Sequence, residues 1–262
     1  MKPQASDPLQ PSASLTATPV KNPPDEIKRL QRELAQAQAE LTDFTYSVSH
    51  DLRASLRHVN AYVQLIAEDL GPGISADLAA HLHTVSQATQ QMTRQIEGLT
   101  ELSRLTRVKL QRDRLDLDPP LRDVIATLTP TLAGRSVEWQ LAPDFPGLLA
   151  DVVLIRQVLT QLLSNAIKFT RERALTRISV SWKTPAPGTC TITVSDNGAG
   201  FNPRYAEQLF GVFQRLHSAR EFEGLGMGLA LSRKIVERHG GSVSISGEQG
   251  VGCSVSFTLP LA

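Results

Sequence analysis

From Ile27 to Val48 the residues Ile27, Leu30, Leu34, Ala37, Leu41, Phe44 and Val48 recur at alternating steps of three and four. This pattern constrains the chain more than any other, because it is the a/d seam of a coiled coil. With Ile27 at position a, Val48 is also an a residue, and His50 falls at c, on the water-facing side. The seam therefore presents an imidazole, with the carboxylate of Asp51 next to it, on the outside of a dimerising helix.

The first helix is expected from about Asp25 to Asp69, where Gly71-Pro72-Gly73 combines a C-cap residue with a helix breaker. A second helix starts at Ser75 or Ala76 and carries the stripe Leu78, Leu82, Val85, Met92, Ile96, Leu99 and Leu102. Two long amphipathic helices joined by a short turn cannot hide their own apolar faces. Pairing two hairpins into a four-helix bundle does so, and a homodimer is expected. Ahead of the helices, residues 1–24 hold six prolines among small and polar residues. Such a segment buries too little apolar surface to offset its ordering entropy and is expected to be disordered.

After Arg107 the period changes. Asp113 to Leu117 reads as an edge strand and Leu121 to Leu132 as a helix. Ser136 to Leu141 is a short strand, and Asp151 caps a helix running to about Lys168. The strands Thr176–Lys183 and Thr189–Ser195 are joined by Pro185, Pro187 and Gly188. A helix from Gly228 to His239 ends at Gly240-Gly241, and Ser242–Gly247 and Gly252–Leu259 close the chain as strands. The expected class is α+β: the hairpin of 25–110, then an α/β sandwich over 111–262 whose mixed sheet is covered on one face by helices.

Composition excludes several classes. A net charge of +1 gives no case for a nucleic-acid partner, and no basic tract argues for a membrane surface. No apolar run approaches the ~20 residues needed to cross a bilayer, and the opening MKPQASDPLQ lacks the order of a secretory signal. Cys190 and Cys253 lie in strand patterns without metal-ligand spacing and read as reduced thiols of a cytoplasmic protein. His81 and His83, two apart on a helix, diverge and do not make a metal site.

Four segments carry chemistry: SHDLRASLR around His50, QLLSNAIKFT around Asn165, DNGAG at 196–200, and LFGVFQRLH followed by FEGLGMGLAL between Leu209 and Leu231. In this order and at these separations the chain resembles the transmitter module of a two-component sensor histidine kinase over roughly residues 40 to 262. Within that family it is similar to the group attached to phytochrome-type photoreceptors. The resemblance implies an ATP- and Mg²⁺-dependent protein-histidine kinase that autophosphorylates His50 and passes the phosphoryl group to an aspartate on the receiver domain of a response regulator. His50 is then the nucleophile, and Asp51 can hold the proton on the other ring nitrogen while positive charge develops.

In the same family the asparagine matching Asn165 coordinates Mg²⁺ and the lysine matching Lys168 meets phosphate; three apart on one helix, both can face one triphosphate. The aspartate matching Asp196 accepts from the adenine amino group, with Gly198 and Gly200 letting backbone come close. Phe210 and Phe213 match the family's aromatic pair, and Gly224, Gly226 and Gly228 its glycine-rich lid, whose N–H groups can hold phosphate oxygens. Arg215 is a candidate sensor of phosphate or of the acceptor domain.

The chain departs from the family at four positions. Gln161 replaces a second asparagine, where related ATPases carry a water-activating glutamate. An amide cannot act as a general base, which favours transfer to histidine over hydrolysis. Ser55 replaces a helix-kinking proline, Ala54 replaces a residue that positions water for dephosphorylating the partner, and Leu225 replaces a threonine. A straighter helix and weak phosphatase activity are the expected consequences. Two other readings stand beside the kinase: a degenerate dimeric nucleotide-binding module that signals by contact alone, and an ATPase-driven machine of the same nucleotide fold. Residues 1–24 are too short and polar for a sensor domain. Input is accordingly expected from a separate sensor protein docking on the coiled coil, unless the kinase runs unregulated.

Overall fold

A computed structural model describes residues 23–132, 134–218 and 221–262. The proline-rich tail expected over 1–24 lies outside the described residues save its last two positions. The chain divides into two units, 1–44 and 45–262.

Helix α1 runs over Pro23–Leu70 and helix α2 over Ala76–Arg107, with a single 3₁₀ turn at Gly71–Gly73 between them. Gly71 takes φ +60°, which a residue without Cβ adopts at no steric cost. Ser75 caps α2 by accepting from the Leu78 N–H at 3.3 Å. The Ser55 hydroxyl bonds back to the Asp51 carbonyl at 3.1 Å, and α1 continues unbroken through this point, as the absence of proline predicts. The seam residues are bare: Leu41 and Phe44 are 66% and 67% exposed, and Val48 is 38% exposed.

The remainder is α+β. Strand β1 (Asp113–Leu115) pairs antiparallel with β3 (Leu148–Ala150) in a small separate sheet. Sequence periodicity takes β1 to Leu117 and misses β3. The strand stops early because the Asp116 carboxylate accepts from the Asp118 N–H at 3.1 Å, turning the chain into helix α3 (Asp118–Leu128). Pro130 then forbids a regular continuation, and Thr129–Leu132 tightens to 3₁₀. Strand β2 (Val137–Leu141) lies parallel to β4 (Thr176–Ala186). Next to β4 come β5 (Thr189–Asp196), β7 (Gly252–Pro260) and β6 (Val243–Glu248), all antiparallel, giving the order β2-β4-β5-β7-β6.

Helix α4 (Val152–Phe169), helix α5 (Gly228–Arg238) and the sheet share one core. Ile155, Leu159 and Leu163 of α4 are fully buried with Ile178, Ile192, Phe257 and Leu259 of the strands. The other face of the sheet carries hydroxyl pairs, Thr193 with Ser256 and Ser195 with Ser254, both at 2.8 Å. One cover and one wet face is what alternating strands require.

Candidate active site

Asp151 starts the site. Its Oδ1 accepts from the Val153 and Leu154 N–H groups at 3.1 and 3.3 Å, fixing where α4 begins and which face turns inward. With the apolar face in the core, Gln157, Gln161, Asn165 and Lys168 fall on the opposite side and line a cavity of about 1010 Å³. The Lys168 ammonium donates to Asn165 Oδ1 at 3.1 Å and stands 4.4 Å from the Phe169 ring centroid. Burial, the largest influence, lowers the Lys168 pKa; Glu223 opposes this and Arg215 adds to it. A half-buried cation whose hydrogen-bond partner is a neutral amide favours an incoming anion.

At the end of β5 the Asp196 carboxylate accepts from the Gly198 N–H at 2.8 Å and from the backbone N–H of Cys253. Burial nevertheless pushes its pKa up to about 6, against the pull of those two donors and of Arg173. Gly198 and Gly200 are needed here by the protein's own backbone. A Cβ at Gly198 would lie 2.6 Å from the Phe169 carbonyl, and one at Gly200 (φ +61°) 1.9 Å from that of Glu248. Cys253, opposite Asp196 in the ladder, lines the cavity together with Gly200. Asp196 and Gly198 stand just behind that wall.

The glycine-rich segment closes another side. Gly224, Gly226 and Gly228 all line the cavity, and Gly228 opens α5 without a side-chain cap, leaving the first N–H groups of that helix free for a ligand. Arg215 also lines it, but its guanidinium is engaged: it donates to the Gly224 carbonyl at 2.7 Å and to that of Phe222. Of the predicted aromatic pair, Phe210 is buried whereas Phe213, at φ +62°, is 38% exposed and outside the cavity. The phenyl rings that do line it are Phe169, Phe201 and Phe222, and Phe222 clusters with Phe169 at 5.0 Å and His217 at 5.1 Å. Arg171 lies over Phe222 at 4.6 Å and pairs with Glu223 at 3.1 Å. Phe222, His217 and Arg171 are not among the residues the sequence singles out. Phe222 and His217 lie inside the motif-bearing stretches, so their position was the available signal.

The fourth wall is α2, through Arg94, Glu97, Gly98 and Glu101, which no sequence pattern pointed to. Met227 packs on Gly98, where a Cβ would meet its Cγ at 3.0 Å. Gln157 bonds Glu101 at 3.5 Å, and Arg238 donates to the carbonyls of Leu105 and Val108 at the end of α2.

His50 and Asp51 do not line the cavity. The His50 side chain is 64% exposed, with Nδ1 3.2 Å from Asp51 Oδ1. Ser86 of α2 bonds Asn60 of α1 at 3.3 Å, which sets the antiparallel register of the hairpin. Ten residues back along α1 and ten forward along α2, about 15 Å at 1.5 Å per residue, His50 stands level with Ile96. That is the height of the α2 segment walling the cavity.

Among the cavity's uncharged oxygen donors is the Asn165 amide, which accepts from the Lys168 ammonium. A Mg²⁺ ion that keeps waters and substrate phosphates as ligands asks a protein for one or two oxygens, and an amide oxygen such as that of Asn165 is of the right kind. Among the described residues no group of three or more His, Cys, Asp or Glu could hold a metal ion.

Residues 150–262 match the family of histidine kinase-, DNA gyrase B-, and HSP90-like ATPases. The chain is 34% identical over 236 residues to cyanobacterial phytochrome B of Nostoc sp. (strain PCC 7120 / SAG 25.82 / UTEX 2576), covering 90% of this chain and 31% of that protein. It is 33% identical over 239 residues to the methanogenesis regulatory histidine kinase FilI of Methanothrix harundinacea (strain 6Ac), covering 90% and 26%. With the adaptive-response sensory kinase SasA of Synechococcus sp. (strain JA-2-3B'a(2-13)) the identity is 31% over 248 residues, covering 90% and 64%. The chain thus spans about a third or less of the first two relatives. In fold it is similar to full-length ShkA in complex with AMPPNP, with TM-score 0.61 and 22% identity over 84% of this chain and 46% of that one. Acinetobacter baumannii histidine kinase AdeS is similar with TM-score 0.54 and 20% identity, over 81% and 98%.

Proposed function

Because this chain is a sensor histidine kinase transmitter module, we propose that it is a protein-histidine kinase that uses ATP and Mg²⁺, phosphorylates its own His50 and hands the phosphoryl group to an aspartate of a response regulator. The carrying observation is one of height. An exposed imidazole steadied by Asp51 stands level with the α2 wall of a cavity whose other walls carry Asn165, Lys168 and the uncapped start of α5.

The residues take the following parts. Asp196 accepts from the amino group of the base. Lys168 and the N–H groups of the Gly224–Gly228 segment meet the phosphates, and the Asn165 amide oxygen faces the metal. Mg²⁺, when bound, neutralises charge on the β- and γ-phosphate oxygens. Asp51 at 3.2 Å holds the proton of His50 on Nδ1 and leaves the Nε2 lone pair pointing outward. Nε2 then bonds to the γ-phosphorus as the bond to the ADP oxygen breaks, and the electron pair leaves with ADP. Positioning and charge neutralisation are the sources of rate.

On this reading residues 25–110 form the dimerisation and phosphoacceptor unit and 111–262 the ATP-binding unit. The bare apolar residues of α1 and α2, Leu41, Phe44, Leu52, Leu65 and Met92 among them, are buried against a second copy. The reading places the chain in the cytoplasm; among the described residues no helix is long and apolar enough to cross a membrane.

Incubation with γ-labelled ATP tests the proposal. Wild type should acquire an acid-labile, alkali-stable label, and His50→Gln should acquire none while binding ADP as wild type does. Equal labelling of the two proteins would reject His50 as the acceptor, and no labelling of wild type would favour signalling by contact alone.

A further inference from the structure

Arg173, between α4 and β4, belongs to none of the motifs and does not line the cavity. Its guanidinium nevertheless reaches two loops distant in sequence. Nε donates to the Asn197 carbonyl at 2.7 Å, and Nη2 donates to the carbonyls of Gly198 at 2.9 Å and Gly250 at 2.5 Å. The two loops are also tied directly, by Gly250 N–H to the Ala199 carbonyl at 2.7 Å, and to the end of α4, by Ala199 N–H to the Phe169 carbonyl at 3.0 Å. On the other side of the strand end, Asn197 Oδ1 accepts from Arg177 N–H at 2.8 Å and its Nδ2 donates to the Leu175 carbonyl at 3.0 Å. Asp196 sits at the centre of these anchors. Arg173 is the one whose charge acts on the Asp196 carboxylate.

We propose that Arg173 is a positioning residue for nucleotide recognition: it forks across the 197–198 and 250 carbonyls and so sets both the place and the charge of the Asp196 carboxylate. This rests on the reading of Asp196 as the group that accepts from the amino group of the base. A planar guanidinium can span carbonyls on two loops, and a lysine ammonium, though equally charged, cannot. The titratable and charged groups facing Asp196 are Arg173 and the Cys253 thiol, with the N–H groups of Gly198 and Cys253 as its neutral donors. Only Arg173 favours the ionised form by charge. The ionised form accepts from an amino group on either oxygen, whereas protonation turns one oxygen into a donor and weakens the other as an acceptor.

The test is calorimetric titration of the full chain with ADP, without Mg²⁺, from pH 5 to 8. Wild type is compared with Asp196→Asn, Arg173→Ala and Arg173→Lys. The phosphate titration of the ligand is common to all four proteins and cancels in the ratios. Wild type should lose affinity as the pH falls through about 6, and Asp196→Asn should be weak with no such limb. Arg173→Ala should bind about tenfold more weakly at pH 7.5, the scale of a lost charged hydrogen-bond network, and its acid limb should move to higher pH. Arg173→Lys should restore the limb to its wild-type position without restoring the affinity.

An Arg173→Ala protein with wild-type affinity overturns the proposal. So does one that is weaker at every pH with its limb unmoved, since that is what a merely structural arginine would do. If Arg173→Ala does not fold, Arg173→Lys decides: weakened binding supports the fork and wild-type binding removes it. Should Asp196→Asn bind as wild type does, the base reading itself fails. Failure of the Arg173 step alone would leave the Asp196→Asn effect intact.

Discussion

Gly98 lies inside α2, where glycine costs about 1 kcal/mol relative to alanine. The structure supplies a reason for it. A Cβ at this position would stand 3.0, 3.3 and 3.7 Å from Cγ, Cε and Cβ of Met227, which is only 5% exposed. Replacing Gly98 by leucine drives three further carbons into the space of that side chain. Overpacking of this kind costs about 1–3 kcal/mol, and the gain in helix propensity returns about 1 kcal/mol, for a net loss of about 0–2. Met227→Ala alone empties the notch from the other side and should cost about 2–5 kcal/mol. In the double variant the leucine occupies what the methionine vacates. It should therefore be more stable than the sum of the single effects by about 1 kcal/mol or more. Urea unfolding followed by tryptophan emission reads the sandwich selectively, because both tryptophans, Trp139 and Trp182, lie on β2 and β4. If the two substitutions add to within about 0.5 kcal/mol, Met227 does not rest on Gly98 in solution and the α2 wall of the cavity is misassigned.

Other consequences are equally direct. Asn165→Ala should abolish most of the gain in ATP affinity that Mg²⁺ confers; titrations with and without the ion check this, and an undiminished gain would remove Asn165 from the metal. Glu223→Gln breaks a largely exposed pair with Arg171, so stability should hardly change while release of a fluorescent nucleotide in stopped flow becomes faster. Gly200→Ala must move either a φ of +61° or the Glu248 carbonyl, and its thermal midpoint should fall by several degrees; an unchanged midpoint would contradict the packing of the 196–200 loop.

Acid stability should show two opposed contributions. His239 is buried neutral, accepting from the Asp151 N–H at 3.0 Å and donating to the Ile235 carbonyl at 2.8 Å, and burial lowers its pKa below the ordinary 6.5. Its contribution is present above 6.5 and is lost as pH falls through the lowered value. Asp196, raised from 3.8 to about 6, contributes in the opposite sense: its share is full below 3.8 and is lost as pH rises through about 6. Asp196→Asn should therefore make stability fall more steeply on acidification between pH 6 and 4, and a parallel curve would show that the carboxyl is not held in its protonated form there.

Much of this molecule could be read from residues along the line of the chain. The three-four spacing of Ile27 to Val48, the Ser75 and Asp151 caps and the alternation in β4, β5 and β7 are local signals. A helix or strand hides one face at a fixed period, so the period survives in one dimension. Motif chemistry is local too, and Asn165 and Lys168 meet because residues three apart on a helix must. What the line of residues could not carry is contact between segments whose spacing has no period. The three-residue strand β3 is too short to show one. The Phe222–His217–Phe169 cluster, the Gly98 notch under Met227 and the fork of Arg173 join positions up to about 130 residues apart. Whether a side chain reaches across such a gap depends on how the layers pack. Only the folded arrangement of α2, α4, α5 and the sheet decides that Asp196 is desolvated, that Arg215 is spent on its own loop, and that His50 stands level with the cavity.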